Sequence, residues 1–505
     1  MAATVKSIST YGSSGLVVDI ECHLSNNLPI IVIVGYANKA VNEARDRLRG
    51  AFATSHLQLP RKRVTINLAP ADIPKGDSGF DLAIAMSVLL ASTQLKPLTD
   101  TNTAFIGELG LDGRLRAVRG IIGKLLVGRE HGLTTFYIPA ANLAQAQLVP
   151  GITLVPVSSL GQLYEHLVGV EPVTLVQTNA GLLGTAAPPA DSEINLSDIV
   201  GQDQAKRALE IAAAGGHNIL LNGPPGTGKS MLAKALASIL PPLSQEEVLE
   251  VTHLHSLAGH DYEHIVRERP FRSPHHSAST ISIIGGSAGL RPGEISLSHR
   301  GVLFFDEFPE FSRPTLEALR QPLEDRRITV ARSVGSADFP ANFILVATAN
   351  PCPCGYYGTD SGTCTCLAPA RARYNQKLSG PIIDRIDLFC HVDSVEHSAL
   401  LADTSGHPTD TGTPARVKKA RVVQLKRFTT STTLNADMSN SQLKQHAKLG
   451  PGTKAALDRA AGTYNMSARA YMRTIKVART IADLAGSVHI NTNHISEALM
   501  YRHNQ

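Results

Sequence analysis

Apolar and polar residues recur with two different periods along the first third of the chain. Residues 28–34 and 63–69 are rich in apolar and β-branched side chains, a pattern that predicts two strands, the first of them buried. Residues 38–53 and 78–92 carry apolar side chains at helical spacing, which predicts two helices. This mixture of strands and helices predicts an α/β fold for this part of the chain.

Two polar stretches divide the rest of the sequence. Residues 171–193 contain Pro, Gly, Thr and Asn and predict a linker, after which strands and helices alternate again to about residue 400. A second polar gap, 403–414, precedes a part whose pattern is helical. A length of 505 residues suits about three domains, which we place at 1–170, 194–400 and 401–505.

The composition narrows the class of protein. A hydrophobic share of 43% is enough to bury several cores, and the absence of Trp argues against an aromatic platform for nucleic acids. The net charge of +5 permits nucleic-acid binding without requiring it. No apolar run is long enough for a membrane helix, and the first residues do not follow the pattern of a secretory signal. We therefore expect a cytoplasmic protein with no membrane partner.

A phosphate-binding loop follows the short apolar strand predicted at 218–221. It consists of Gly223, Pro224, Pro225, Gly226, Thr227, Gly228, Lys229 and Ser230. A predicted helix continues from Met231, and this order of strand, glycine-rich loop and helix is typical of a P-loop, whose backbone N–H groups surround phosphates. We expect Lys229 to contact the β- and γ-phosphates of ATP, and Ser230 to bind Mg²⁺.

Polar side chains also end two later apolar strands. Asp306 and Glu307 follow residues 301–305, and Asn350 follows residues 342–349. An aspartate in this place suits Mg²⁺, and a glutamate beside it can polarise the attacking water. We expect Asn350 to orient the same water from the neighbouring strand.

The order of these motifs, together with residues 380–388, resembles the AAA+ clade that contains magnesium-chelatase motor subunits and MCM helicases. The resemblance implies that Arg385 is an arginine finger, which reaches the ATP of a neighbouring subunit and stabilises charge on its γ-phosphate. An ion pair with Asp384 or Asp387 is the structural alternative for this residue.

A later segment, residues 467–481, resembles the sensor 2 helix of the same clade. Arg469 is at the matching position. Arg473, Lys476 and Arg479 lie on the same predicted helix and are alternatives to it. A basic helix face that is only solvated is the structural alternative for all four.

Narrower features resemble the ComM/YifB family of magnesium-chelatase-like proteins. The matching segments are 272–279, 291–297, 350–355 and 477–484. The resemblance covers nearly the whole chain and implies a homohexameric ATPase that drives branch migration of single-stranded and branched DNA during natural transformation or recombination. The alternative is an AAA+ remodelling chaperone that acts on a protein partner, as the magnesium-chelatase motor does.

The first 170 residues resemble the proteolytic domain of Lon at 71–79 and 107–115. Lon proteases use a Ser–Lys dyad, and the matching positions here are Gly79 and Ile122. Because Ser78 and Lys124 are displaced by one and two residues from these positions, we expect a domain without protease activity. It would serve assembly or DNA contact; the basic run 61–63 is either a phosphate contact or a solvated loop.

The resemblance to MCM helicases also implies two hairpins that point into a central pore. The first is expected within 250–300, with the apolar patch 282–286 at its tip. The second is expected to pair 328–332 with 343–345 across 333–340, and it places Arg332 where a basic side chain contacts the DNA backbone. A surface strand residue is the alternative for Arg332.

Two groups of side chains invite a metal interpretation. The neighbours His275 and His276 are expected to point to opposite sides of an extended chain, so that they do not share an ion. Four cysteines form two C-x-C pairs separated by nine residues: Cys352, Cys354, Cys364 and Cys366. Four thiolates can bind Zn²⁺ tetrahedrally, and four reduced thiols that pack a loop are the alternative; both stay open.

Overall fold

The computed structural model describes residues 2–11, 14–35, 39–70, 78–178, 194–259, 264–286, 290–332, 335–358, 362–377, 382–395, 412–428 and 433–502. Several expectations lie outside these residues: the Lon-like stretch up to residue 77, the linker from 179, the motif residues Gly380 and Pro381, and the polar gap up to 411.

A mixed β-sheet is the centre of the N-terminal part. The strands are β1 (Ala2–Tyr11), β2 (Ser14–Ser25), β3 (Ile31–Val34), β4 (Arg63–Ala69), β5 (Thr103–Phe105), β6 (Glu108–Leu109), β7 (Leu115–Arg116), β8 (Thr135–Pro139), β9 (Thr153–Val157) and β10 (Val176–Gln177). The helices are α1 (Lys39–Thr54), α2 (Asp81–Ala91), α3 (Ile121–Glu130), α4 (Leu143–Ala146) and α5 (Leu160–Val168). The strand order is β10-β9-β8-β5-β1-β2-β4-β3, and β6 pairs with β7 separately.

Strand β4 shows how the sequence pattern produces this sheet. Val64, Ile66 and Leu68 are buried, while the residues between them are partly exposed. Because side chains alternate between the two faces of a strand, one face of the sheet packs into an apolar core that α1 and α2 complete. The predicted strand and the two predicted helices of this part are confirmed, the second helix with a short 3₁₀ turn at its start.

Two expectations for this part are wrong. The strand predicted from residue 28 begins only at Ile31, and Leu28 is 85% exposed, because residues 26–29 bend before an edge strand. Part of the expected linker belongs to the sheet, since β10 pairs antiparallel with β9. The N-terminal fold therefore continues beyond residue 170.

The region that matches the lysine of Lon's Ser–Lys dyad is a packed core. Ile122 and Lys124 are both completely buried on α3, and Lys124 Nζ donates to the backbone oxygen of Ile8 at 3.1 Å. The amine therefore supports the packing of α3 on β1. The Lon resemblance and the absence of protease activity stay predictions.

A parallel sheet forms the second part. Its elements are β11 (Ile219–Asn222), β12 (Phe271–Arg272), β13 (Val302–Phe305), the hairpin β14 (Arg327–Arg332) and β15 (Gly335–Pro340), β16 (Ile344–Ala349) and β17 (Leu388–His391). The helices are α6 (Asp203–Gly215), α7 (Lys229–Ile239), α8 (Gln245–Ala258), α9 (Thr280–Ile284), α10 (Glu294–Leu297), α11 (Arg313–Ala318), α12 (Arg320–Asp325) and α13 (Ala368–Lys377). The sheet order is β12-β13-β16-β11-β17, and every pairing is parallel.

The central strands of this sheet are almost entirely apolar because both faces are covered. Residues of β13 and β16 are buried at every position. One face packs against α6, α7 and the C-terminal helices, and the other against the segment that contains α9 to α12. Since all strands run in one direction, their carboxyl ends meet at one edge of the sheet.

The expected pairing of the second hairpin is wrong. Strand β14 pairs with β15, from Arg327 opposite Pro340 to Arg332 opposite Gly335. Residues 343–345 instead enter the buried strand β16. The partner strand reads Gly-Ser-Ala-Asp-Phe-Pro, but Ala337 and Phe339 alternate inward and pack in the core, so its polar composition concealed a half-buried strand.

The first expected hairpin is also different. Residues 280–284 form helix α9, with Ile283 buried, and Gly285 then bridges antiparallel to Pro292. The two histidines do not point to opposite sides as expected, because their rings lie side by side, tilted by 34° with centroids 4.1 Å apart; that the two histidines share no ion stays a prediction. They lie in a turn, where the N–H of Ala278 donates to His275 O, and not in an extended chain.

The C-terminal part is helical, as predicted. Its helices are α14 (Thr413–Phe428), α15 (Asn440–His446), α16 (Pro451–Thr463), α17 (Ala468–Leu484) and α18 (Thr492–Met500). Helix α14 is held on α6, where Arg421 and Gln424 donate to the backbone oxygens of Ala213 and Ala214. Across the described residues, no helix is both long and apolar enough to cross a membrane.

The N-terminal part packs on the second part through α3 and α8. Gly123 of α3 lies against the imidazole of His253, where a Cβ would collide with the ring. Burial lowers the pKa of His253 to about 4, so this ring is neutral at physiological pH. The contact is thus with an uncharged ring, and Gln145 adds a hydrogen bond to His264 O at 3.0 Å.

Candidate nucleotide-binding site

The P-loop connects β11 to α7 at the carboxyl edge of the parallel sheet. Gly223 lies so close to the backbone oxygen of Val392 that a Cβ would collide with it. Gly226 and Gly228 have φ of +81° and +83°, a left-handed backbone that glycine adopts without strain. The glycine positions that the motif requires are therefore explained by packing at one position and by backbone geometry at two.

Lys229 lies within the loop, at the start of α7. Its Nζ donates to the backbone oxygens of Gly223 and Pro224 at 2.7 and 2.6 Å, and to Asn350 Oδ1 at 3.2 Å. Burial lowers the pKa of Lys229, and the charges of Asp306 and Glu307 act in the opposite direction. The structure thus brings together a lysine and an asparagine that follow two different strands in the sequence.

The two acids lie at the end of the neighbouring strand β13. Ser230 Oγ donates to Asp306 Oδ2 at 3.0 Å, so the two expected magnesium ligands are in direct contact. Glu307 is exposed and has a φ of +54°, which is uncommon outside glycine and occurs often at functional sites. Its side chain is therefore accessible beside the serine and aspartate.

Thr348 is a residue of this site that sequence reasoning missed. Its hydroxyl donates to Asp306 Oδ1 at 2.6 Å and accepts from the backbone N–H of Glu307 at 2.9 Å. It is the polar position in the otherwise apolar strand Ile344–Ala349. That single polar residue in a buried strand was the signal that could have identified it.

Arg385 lies at the opposite edge of the sheet. It precedes β17, and its backbone oxygen accepts from Asn218 Nδ2 at the amino end of β11. The four residues of β11 span about 13 Å, which separates Arg385 from the P-loop of its own chain. Arg385 forms an ion pair with Glu324, a partner that the sequence did not indicate.

Arg469 lies at the same edge as Arg385. Its guanidinium is 3.5 Å from the same carboxylate oxygen of Glu324, and its side chain is 62% exposed. The Arg385 guanidinium holds the pKa of Glu324 below its usual range. Two arginines predicted to act on nucleotide thus converge on one carboxylate, far from the P-loop of their own chain.

The alternatives to Arg469 on α17 have partners inside the chain. Arg473 donates to the backbone oxygens of Ile383 and Ile386, and Lys476 donates to Ala436 O at 2.8 Å. Arg479 is 2% exposed and pairs with Asp483. Of these four basic residues, Arg469 is the one whose side chain is mainly exposed, which favours it over the other three.

The four clustered cysteines are brought together. They are reduced, and their sulfur atoms all lie within 4.8 Å of one another. Three of the Sγ–Sγ distances are 3.3 Å (Cys352–Cys354), 3.7 Å (Cys352–Cys364) and 3.7 Å (Cys354–Cys364). Tetrahedral zinc with Zn–S bonds of about 2.3 Å requires S–S distances of about 3.8 Å. The set therefore fits Zn²⁺ in both number and spacing.

Comparisons with known proteins cover most of the chain. Residues 195–400 match the family model described as magnesium chelatase, subunit ChlI; residues 20–142 match subunit ChlI of Mg-chelatase; and residues 410–502 match the ChlI C-terminal model. The magnesium-chelatase 67 kDa subunit of Chlorobaculum parvum is 30% identical over 164 residues, which is 31% of this chain and 23% of that protein.

Two full-length relatives are closer. Competence protein ComM of Haemophilus influenzae is 40% identical over 502 residues, covering 99% of this chain and 97% of that protein. YifB of Escherichia coli is 40% identical over 486 residues, covering 96% and 94%. Together with the parallel P-loop core and the helical C-terminal part, these matches show that the chain belongs to the ComM/YifB family of magnesium-chelatase-like AAA+ proteins.

Proposed function

We propose that this protein hydrolyses ATP with Mg²⁺. The observation that carries the proposal is two hydrogen-bonded pairs at one edge of a parallel sheet, Lys229 with Asn350 and Ser230 with Asp306. A P-loop lysine beside a serine–aspartate pair fits a nucleotide with its metal ion.

Each side chain has a role in this proposal. Lys229 exchanges its backbone partners for phosphate oxygens, and Ser230 and Asp306 hold Mg²⁺, which neutralises charge on the phosphates when bound. Glu307 accepts a hydrogen bond from the attacking water, and Asn350 orients that water. Thr348 fixes the Asp306 carboxylate and the backbone at Glu307.

We further propose that Arg385 and Arg469 act on ATP bound to a neighbouring subunit. Both lie at the edge of the sheet opposite the P-loop, so neither reaches the nucleotide of its own chain. A closed ring, a homohexamer in this family, places that edge of one subunit against the P-loop of the next. Glu324 then holds the two guanidinium groups until a γ-phosphate competes for them.

The motor's substrate in this proposal is DNA. The protein of Haemophilus influenzae that is 40% identical along its whole length is named a competence protein, which supports a role in DNA uptake or recombination. We propose that ATP turnover drives branch migration of single-stranded and branched DNA. The second candidate, a chaperone that remodels a protein partner, is favoured by the magnesium-chelatase models that match the core and the C-terminal part.

Stimulation of ATP hydrolysis by nucleic acid separates the two candidates. A DNA motor should hydrolyse ATP faster when single-stranded DNA is added, since the strand completes the working ring. Phosphate release would be measured with and without DNA, with heparin as a polyanion control. An ATPase that responds equally to DNA and heparin, or to neither, would favour the chaperone.

Replacing Arg332 tests whether the β14–β15 hairpin binds DNA. It ends β14 opposite Gly335, at the far end of the hairpin. We predict that Arg332→Ala keeps basal ATP hydrolysis and assembly but loses DNA stimulation, with a salt slope of DNA binding that is lower by about one. Arg327→Ala is the matched control, because Arg327 is an exposed arginine at the base of the same hairpin. Equal behaviour of the two variants in DNA binding would remove this assignment.

We propose that the four cysteines bind Zn²⁺. We predict that metal analysis of protein purified without chelators finds about one Zn²⁺ per chain. The same analysis of Cys22→Ala, a buried cysteine in the N-terminal sheet, serves as the control. Protein without zinc would leave the packed-thiol alternative.

A further inference from the structure

The cysteine loop, described at residues 351–358 and 362–367, borders the nucleotide site. It begins directly after Asn350, whose side chain accepts from Lys229. Gly355, between the two cysteine pairs, lies against the P-loop, and a Cβ there would be 2.5 Å from Pro225 Cδ. Its φ of +88° is one that glycine adopts readily. The loop therefore touches the phosphate-binding loop at a point where no side chain fits.

The other end of the cysteine loop returns to the same site. Helix α13 begins two residues after Cys366, and its Tyr374 hydroxyl accepts from the backbone N–H of Asn350 at 3.2 Å. Further along α13, Lys377 Nζ donates to Pro309 O at 2.7 Å, two residues beyond Glu307. The loop is thus connected to the P-loop, to Asn350 and to the segment after the acids.

The loop has little of its own to hold this shape. In its described parts, 351–358 and 362–367, no helix or strand is present. Two internal hydrogen bonds stand out, from Gly355 N–H to Cys352 O at 2.9 Å and from Cys354 N–H to Cys366 Sγ at 3.3 Å. A metal ion bound by four thiolates would cross-link the two ends of such a loop. The free energy of metal binding would then stabilise the folded loop.

We infer that the four-cysteine zinc centre positions the ATP site: Zn²⁺ occupancy fixes the contacts of Gly355 on Pro225 and of Tyr374 on Asn350, and thereby sets ATP affinity and turnover. The inference rests on the proposed ATPase. The zinc ion does not contact the nucleotide itself and acts through the P-loop and Asn350. Loss of zinc should loosen the wall of the nucleotide site. The cores of the two sheets should stay folded, because they contain none of the four clustered cysteines.

The test compares Cys364→Ser and Cys366→Ser with Cys22→Ala. The first two remove partly exposed ligands, and the control removes a buried cysteine of the N-terminal sheet. Zinc content, affinity for a fluorescent ATP analogue, ATP hydrolysis and hydrogen exchange at residues 223–230 would be measured on the full chain. We expect both ligand variants to lose zinc, bind the analogue at least about tenfold more weakly and exchange faster in the P-loop, with the control unchanged on all four readouts.

Reconstitution keeps the inference testable if a ligand variant fails to fold. Wild-type protein stripped of zinc by a chelator should show the same loss of affinity and recover it with added Zn²⁺ and not with Mg²⁺. Zinc lost with affinity and exchange unchanged would overturn the inference, and so would a wild-type protein that binds and hydrolyses ATP without zinc. A wild-type protein that holds zinc but binds no ATP would instead contradict the proposed ATPase.

Discussion

Replacing Lys229 by alanine should reduce ATP hydrolysis by at least about 100-fold, the usual cost of removing one preorganised donor from developing charge. The amine is partly buried and joined to Asn350 and to two P-loop oxygens, so it lies where the phosphates of a bound nucleotide are expected. Nucleotide affinity should fall as well, because the same amine contacts the phosphates before and during the reaction. Phosphate release and binding of a fluorescent ATP analogue would measure the two effects.

Glu307→Gln should separate binding from chemistry at the same site. The exposed carboxylate is expected to act on water, and the phosphate cradle does not include it, so this variant should bind ATP normally and hydrolyse it at least about 100-fold more slowly. Lys234→Ala is the matched control for Lys229→Ala, since both lysines lie on helix α7 and Lys234 is exposed. Turnover near the wild-type rate in Lys229→Ala or Glu307→Gln would remove the nucleotide-site assignment.

Arg385→Ala should lower ATP hydrolysis by about 1000-fold, the scale at which arginine fingers act. The expected result is unusual in that a second inactive variant should restore part of the activity. When Arg385→Ala subunits are mixed with Lys229→Ala subunits, some interfaces combine an intact P-loop with an intact arginine from its neighbour. Hydrolysis in the mixture should then exceed that of either variant alone.

The double variant Lys229→Ala/Arg385→Ala provides the control for mixing. Combined with Arg385→Ala, it cannot form a complete interface and should restore nothing. The position of Arg385 at the sheet edge opposite its own P-loop is the structural reason for this difference. If mixed rings form, as shown by subunit exchange, and yet never regain activity, Arg385 does not act between subunits.

That the candidate nucleotide-site residues lie together was predictable because the signals are local. The P-loop needs one strand, one turn and one helix that are consecutive in the sequence, and Asp306 and Asn350 each follow a strand that is apolar except for Thr348 in the second. Parallel strands then bring these ends to a common edge. The local pattern did not identify the side chains that hydrogen-bond to these residues. An example is Thr348, which positions Asp306 from the neighbouring strand.

The wrong or missing predictions concern contacts between residues that are far apart in the sequence. Hydrophobicity did not identify the partner of β14. The more apolar segment 343–345 leads into the buried sheet, and the true partner β15 is mostly polar but buries Ala337 and Phe339. Glu324, which receives both Arg385 and Arg469, lies 61 residues from one and 145 from the other in the sequence. Contacts of such separation depend on tertiary packing, which a local pattern does not encode.

A three-strand branch-migration assay measures directly whether ATP hydrolysis moves DNA branches. Purified protein would be added to a branched intermediate of a labelled linear duplex and a homologous single strand, with ATP or with a non-hydrolysable analogue. We predict that the wild-type protein converts the intermediate to products only with ATP, and that Glu307→Gln does not convert it with either nucleotide. A wild-type protein that hydrolyses ATP in the same tube and leaves the branch in place would contradict the account.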